Sequence, residues 1–370
     1  MPSRGTAVLS TVLICGVGLA LNLWIAANNS DGWGVDFNQF YSASRLAGTG
    51  QLYNWDALRT LEAEHGKEVR TGRIPVVSFA EKLVGWMPYH IAHIVWLVAS
   101  ATALILFALL WPQMNRTMML TALCWSMPAA LLLILGQDTP FWLLGVALGL
   151  WLLERGHPRL AGVAFSLCIC KYHLAVGIPI LLIAQKRWST LLAGAAAGAL
   201  WIAASFAIEG PSWPRHYLAM ITQPLFSPAP ERMPNLRGIA HWLPWPAAAE
   251  LILAAAVAVL VWSICRTGSN LGAAGAIAVA AGLVLAHHGY ANDCALLIPL
   301  LALTIQRPAA PMWLKLWAIV LLTPAPTLLI VTVKPFAGQI LLVGFVLAAL
   351  AMERFSAQAA ASAAYKTPLY

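Results

Sequence analysis

Charge is scarce in this sequence. Of 370 residues only 10% are Asp, Glu, Lys or Arg, while 60% are hydrophobic; a soluble domain carries about 25% charged residues. With a mean hydropathy of +0.75 there is too little polar surface to keep a globule dissolved, so soluble classes are excluded. No stretch reads as a separate soluble domain, and no short-period repeat is present. The net charge is +8, but no basic helix with interleaved aromatics points to nucleic acid. Cysteine is sparse as well. Cys15, Cys124, Cys168, Cys170, Cys265 and Cys294 all lie in or at the ends of apolar runs, where cysteine behaves as a small hydrophobe. Neither a disulfide framework nor a zinc spacing is readable. The pair in LCICKYH could ligate a metal together with His173, but packing is the simpler reading, and neither a metal nor any other cofactor is expected.

Long apolar runs are what the chain has in place of charge. Ala7 to Ala27, Tyr89 to Trp111, Trp188 to Ile208 and Met312 to Val333 each reach the roughly 20 residues that cross a bilayer as helix. Only internally bonded helices satisfy the backbone in lipid, so an all-α integral membrane protein is expected. The first run follows a lone Arg4 and exceeds the roughly 7 to 15 apolar residues of a secretory signal, so it reads as a retained anchor.

Charge placement gives orientation. Arg116, Arg155, Arg159, Lys186, Arg187, Arg266 and Arg307 crowd one set of short loops, which the positive-inside rule assigns to the cytoplasm. Asp31, Asp36, Asp56, Glu62, Glu64, Glu68, Glu81, Asp138, Glu209, Glu231 and Asp293 fall in the other, outward set. Leu160 to Ala184 has basic loops at both ends. A chain that rises from RGHPR, turns near Lys171 to His173 and returns to QKRW keeps both loops inside. Each arm of about 12 residues rises about 18 Å, which leaves the tip within the membrane, tolerated where it lines a protein cavity. Counting that pair as two gives one domain, residues 1–370, of about 12 membrane helices with both termini cytoplasmic. Two outer loops are long: 28–88, and 209–246 with its Pro and Trp residues, which suits a lid at headgroup level. The tail AQAAASAAYKTPLY reads as a frayed end.

Within the first outer loop, Phe37, Phe40, Tyr41, Leu46 and Ala47 form one apolar helical stripe, with Asn38, Gln39, Ser42 and Arg45 opposite. That pattern predicts a helix lying on the membrane interface. Asp36 with Gln39 fits a capping box, which still leaves one carboxylate oxygen for use as a general base. Tyr41, Tyr53 and Trp55 could stack on a sugar or a headgroup, or simply belong to the interfacial aromatic belt. GQDTP puts Gln137 and Asp138 at a second outer turn, and HHGYANDC puts His287, His288, Tyr290 and Asp293 at a third. Asp293 could merely cap the run that follows it, and the paired histidines could bind an anion or a metal. Lys171 is conspicuous, because an ammonium inside an apolar run costs several kcal/mol and persists where it has a partner or a task. A salt bridge to Asp138 or Asp293 is its structural explanation.

In order along the chain, these pieces resemble the polytopic glycosyltransferases of the GT-C superfamily, family 87. DFNQFYSASRLAGTGQLYNWDAL is similar to that family's first loop, and GQDTPFWLLGVALGLWLLERGHPRLAG to its Gly-Gln helix start and the helix after a basic turn. ICKYHLAV resembles its intramembrane lysine motif, NLRGIAHWL its Asn-x-x-Arg-Gly segment, and HHGYANDCALLIPL its His-x-Tyr-x-x-Asp segment. Two departures stand out: RIPVVSFAEKLVGWMP replaces a Tyr-Pro-Pro and brings in Glu81 and Lys82, and Tyr172 stands where a Pro usually follows the lysine. The resemblance implies a GT-C bundle and transfer of a hexose, mannose by family, from a polyprenyl-phosphate sugar to a lipid or glycan acceptor. It implies Asp36 as catalytic acid residue, acting as base on the acceptor hydroxyl. Lys171, Arg237, His287 and His288 would steady the departing phosphate, and Tyr41, Tyr53, Gln137, Asp138, Tyr290 and Asp293 would line the substrate site. The implied setting is a bacterial cytoplasmic (inner) membrane with the site facing outward. A transporter or lipid flippase is the rival class. It calls for repeated halves and midmembrane coupling charges, whereas the sequence shows no evident repeat and one lysine in an apolar run, with the remaining polar candidates on the outer side. A scaffold binding partners through its outer loops would not need these polar residues to converge.

Overall fold

The computed structural model describes residues 4–28, 36–66, 72–223, 229–267 and 270–366. They form helices in this order: α1 (Arg4–Asn28), α2 (Asp36–Leu46), α3 (Trp55–Ala63), α4 (Pro75–Ala80), α5 (Lys82–Gly85), α6 (Tyr89–Leu110), α7 (Arg116–Cys124), α8 (Met127–Leu135), α9 (Thr139–Glu154), α10 (Pro158–Ser166), α11 (Gly177–Ala184), α12 (Trp188–Glu209), α13 (Trp213–Ile221), α14 (Leu236–Ala240), α15 (Pro246–Thr267), α16 (Leu271–Leu285), α17 (Ile298–Gln306), α18 (Met312–Leu322), α19 (Ala325–Leu328) and α20 (Pro335–Lys366). Short polar side chains start several of them. Asn54, Asn115, Ser126, Asn235 and Asn270 each accept a backbone N–H in the first turn of the helix that follows, supplying one of the acceptors a helix start lacks.

Five helices among the described residues are long and apolar enough to cross a bilayer, or seven if the bent pairs α7–α8 and α18–α19 each count as one span. This falls short of the expected number of about 12. Thr139–Glu154, Leu271–Leu285 and Ala291–Gln306 are apolar but shorter; they are largely buried among other helices and need not meet lipid over a full bilayer thickness. The tail also differs from expectation, since α20 continues as helix to Lys366. Residues 1–3 and 367–370, at the two termini, lie outside the described residues.

The segment with two basic ends does break at its polar tripeptide. α10 passes into a 3-10 turn over Leu167–Leu174, in which Lys171 has non-helical angles (φ −133°, ψ 60°), and α11 follows. Going up, α10 packs on α9 and α12; coming back, α11 packs on α15 and α16. Lys171 reaches the Asp138 end of α9, Leu174 lies against Gly282 and Gly177 against Ala278, and Gln185 donates to the Cys265 carbonyl near the far end of α15. The chain therefore climbs to Lys171 and descends again, as the basic flanks require.

α2 begins at Asp36 as its sequence pattern predicts, but it does not lie on a surface. Phe37 and Phe40 are fully buried with Tyr41, Val84, Tyr89, Ala92 and Trp96, and the polar side is covered as well except at Arg45, which stays exposed. Asn38 and Ser42 are buried; Asn38 donates to the Glu62 carbonyl of α3 (2.9 Å) and Ser42 to Asn38. Hydrogen bonds to α3 let the polar face enter the protein, because a paired polar group loses little on burial. Gly136 sets the depth of α2. It closes α8 in the left-handed region (φ 66°), and a Cβ there would stand 2.6 Å from Phe37 Cβ. Its carbonyl accepts the Trp96 indole N–H (2.8 Å). Gln137 and Asp138 are thereby delivered beside Asp36.

Candidate active site

Four chain segments converge on Lys171. Its Nζ donates to Asp293 Oδ1 (2.7 Å) and to Gln137 Oε1 (2.9 Å), and it stands 3.7 Å from Asp138 Oδ1. Gln137 Nε2 in turn donates to Asp36 Oδ2. The lysine thus fixes which way the Gln137 amide faces: oxygen toward the ammonium, nitrogen toward the carboxylate. Among the described residues, nothing donates to Asp36 Oδ1. Burial pushes the Asp36 carboxyl up to about 6, against the pull of the Gln137 bond and of the Lys171 and Arg73 charges.

Asp138 precedes α9 without capping it through its side chain. Its carboxylate instead takes two bonds from Arg73, Nε to Oδ2 (2.7 Å) and Nη2 to Oδ1 (2.8 Å), a bidentate pair reinforced by the positive end of the helix. Asp293 both caps and pairs: its Oδ2 accepts the Tyr290 amide (2.9 Å) while Oδ1 holds Lys171. Lys171, Asp138, Asp293, Gln137 and Arg73 are all buried. Two cations face two carboxylates, so the cluster is charge-balanced apart from Asp36.

A second group lies further out. Arg237 Nη1 contacts His287 Nε2 and donates to the His287 carbonyl (3.1 Å), and His287 Nδ1 meets Glu250 Oε1 (2.9 Å). The His287 side chain is 69% exposed. Asn235 orders the segment by donating to the Ala286 carbonyl (2.8 Å) while capping α14. His288 faces the other way, stacked on His173 at 3.9 Å. Burial, partly offset by Asp293, lowers its pKa, which favours the neutral imidazole. Tyr290 is 46% exposed and within electrostatic reach of Asp36 and Asp293.

The sequence-derived set therefore divides. Asp36, Gln137, Asp138, Lys171 and Asp293 form one bonded network; Arg237 and His287 form another. Tyr41 and Tyr53 join neither. Tyr41 is buried against Phe37 and Tyr89 and donates to the Met87 carbonyl (2.9 Å); Tyr53 donates to the Arg73 carbonyl (2.8 Å). No cluster of three or more His, Cys, Asp or Glu among the described residues could hold a metal.

Two residues beside the site were given no role by the sequence reading: Arg73, and Glu81, noted there only as an outward acid and a departure from the family pattern. Arg73 is one of six Lys and Arg residues in the outer loop 28–88, beside Arg45, Arg59, Lys67, Arg70 and Lys82, and nothing in the sequence sets it apart from them. Glu81 is buried, and its Oε2 has no hydrogen-bond partner among the described residues. Burial and the nearby Asp138 raise its pKa well above the usual carboxylate range, despite the Arg73 charge.

No curated protein and no solved structure matches the chain. Residues 75–286, more than half of it, match the model of Glycosyltransferase family 87. The match covers α4 to α16 with Asp138, Lys171 and Arg237, while Asp36, Arg73, His287 and Asp293 lie beyond its ends. An all-α membrane protein with this match is a glycosyltransferase that takes a sugar donor and an acceptor, and the chain belongs to glycosyltransferase family 87.

Proposed function

We propose that this protein moves a hexose, mannose by family resemblance, from a polyprenyl-phosphate sugar to a lipid or glycan acceptor at the outer face of a bacterial cytoplasmic membrane. The observation that carries the reading is the Lys171–Gln137–Asp36 relay. It leaves one carboxylate oxygen, Oδ1, for an acceptor hydroxyl while the other is held. A lipid phosphate is already a good leaving group, so the reaction needs one base and no second carboxylic acid. In inverting glycosidases the base activates water; here the acceptor alcohol takes that place.

In this reading Asp36 accepts the hydroxyl proton as the oxygen attacks the anomeric carbon and the bond to phosphate breaks. Lys171 is a positioning residue, since its charge is matched by Asp138 and Asp293 and it acts on Asp36 through Gln137. Arg237 and His287 are the groups exposed enough to meet a phosphate, with His288 donating a neutral hydrogen bond. Both termini would face the cytoplasm, on the side of the basic loops.

Asp36→Asn keeps the shape and the partner oxygen but cannot take a proton. The variant should insert and fold as wild type and lose transfer by about 10²- to 10⁴-fold, the worth of general base catalysis. The assay uses purified protein with labelled polyprenyl-phosphate mannose and a panel of acceptors; turnover near wild type would falsify the base assignment.

A further inference from the structure

The first and second outer loops meet at a place the catalytic reading leaves unused. The turn after α2 carries Gly48 (φ 76°) and Gly50 (φ 75°). The amides of Gly48, Thr49 and Gly50 gather on the Glu209 carboxylate at the end of α12. Consecutive N–H groups in such a turn make an anion-binding nest, here filled by a side chain of the protein itself. An acid at a helix C-terminus opposes the helix dipole, and the nest compensates for it. The bend is thus clamped against α12 and α13. Between them opens a cavity of about 310 Å³ whose walls include Gln51, Tyr53, Trp55, Glu209, Trp213 and His216.

Trp213 is the telling residue. It is 6% exposed, it lines the cavity, and its indole N–H has no acceptor among the described residues. A buried donor left unmatched is costly, and such groups are rare enough to require a reason. No Lys or Arg lines the cavity and a carboxylate does, which argues against a phosphate. Aromatic walls, amide and imidazole groups and an indole donor suit a neutral polyol, and the volume is near the lower end of ligand pockets, about 300–1,000 Å³.

We propose that this cavity binds the neutral sugar rings of the acceptor, with Trp213 Nε1 donating to a ring or hydroxyl oxygen and Tyr53 and Trp55 presenting apolar faces. The inference rests on the acceptor-plus-base reading above and adds where the acceptor is held. The cavity is tied to the proposed base by contact: Tyr53 bonds the Arg73 carbonyl, Arg73 holds Asp138, and Gln137 beside it bonds Asp36. Tyr217, packed on Trp213, meets the hydroxyl of Tyr172 next to Lys171.

The test uses the full chain in lipid nanodiscs, first as Asp36→Asn so that binding is read without turnover. Methyl α-mannoside, mannobiose and octyl mannoside are titrated by calorimetry. Saturable binding is expected, weakened about fivefold by Trp213→Phe, the worth of one hydrogen bond, and by more in Trp55→Ala, which alters a part-exposed ring. Tighter binding of the octyl compound identifies a lipid-linked acceptor, and equal binding a free glycan. In the active protein both variants should raise the acceptor KM while leaving donor KM and kcat within about twofold. Glycan binding without any transfer overturns the catalytic reading and leaves the subsite standing. Transfer with unchanged acceptor KM in both variants, or no binding of any probe, overturns the subsite. Trp55→Ala decides the matter if Trp213→Phe does not fold.

Discussion

Lys171 and Arg237 are both outer-face cations on the sequence reading, yet their surroundings are opposite. Lys171 is buried and bonded on three sides, with its charge cancelled by Asp293 and Asp138. Arg237 shares an exposed cluster with His287 and Glu250. A cation already matched by carboxylates has little left to give an incoming phosphate, whereas one beside an exposed imidazole and a single acid can be recruited. On the proposed function, the contrast suits Lys171 to a scaffold duty and Arg237 to a phosphate duty, a division that residue type alone does not make.

The strongest way to break this contrast is Lys171→Met. Removing one partner of a buried ion cluster costs about 3–5 kcal/mol, because Asp293 and Asp138 are left uncompensated. The thermal midpoint in detergent should drop by many degrees. Arg237→Gln should cost under about 1 kcal/mol of stability, as exposed pairs do. Equal midpoints for the two variants would erase the distinction between the regions.

The kinetic counterpart is smaller. If Arg237 meets the donor phosphate, Arg237→Gln should raise the donor KM about tenfold, or about 1.4 kcal/mol, and leave the acceptor KM alone. The effect should weaken in high salt, where exposed charges are screened. An unchanged donor KM would return Arg237 to the role of tethering His287.

Gln137→Leu sharpens the relay at the level of a proton. The Gln137 bond favours the charged form of Asp36, so its loss should raise the carboxyl further. Activity in wild type should climb as pH passes about 6, where the basic form becomes populated. In the variant that acid limb should move up by about one pH unit. A kcat/KM profile that stays in place would show that Asp36 is not read through Gln137.

What the sequence made legible follows the cost of burial. Lipid-facing helices announce themselves through hydropathy, and Lys171 through the penalty of a charge in an apolar run, so the broken rise and return at Lys171 was readable from its basic flanks. Arg73 was not, because its partner Asp138 is 65 residues away and nothing in local periodicity records a pairing at that range. α2 shows the same limit. Its amphipathic stripe gave the helix correctly, but the stripe cannot reveal that α3 offers the Glu62 carbonyl to Asn38 and so draws the polar face inward. The number of crossings is less legible, because apolar composition does not distinguish lipid from protein as the neighbour of short, buried helices such as α9 and α16.

The finest test lies inside the buried region, between Asp138, which is paired, and Glu81, whose Oε2 has no hydrogen-bond partner among the described residues. Burial and the Asp138 charge hold Glu81 protonated well above its ordinary value of 4.5. The folded chain then keeps a proton that the unfolded chain releases, so stability declines as pH rises above about 4.5 and goes on declining up to the raised folded value. Glu81→Gln replaces the neutral acid with a neutral amide of the same shape. Near pH 5 the two proteins should differ by less than about 0.5 kcal/mol. Toward pH 8 the variant should become the more stable one, its unfolding midpoint falling less steeply than that of wild type. A variant destabilised at pH 8 would mean the opposite: Glu81 is ionised and shares Arg73, and the guanidinium answers to two carboxylates instead of one.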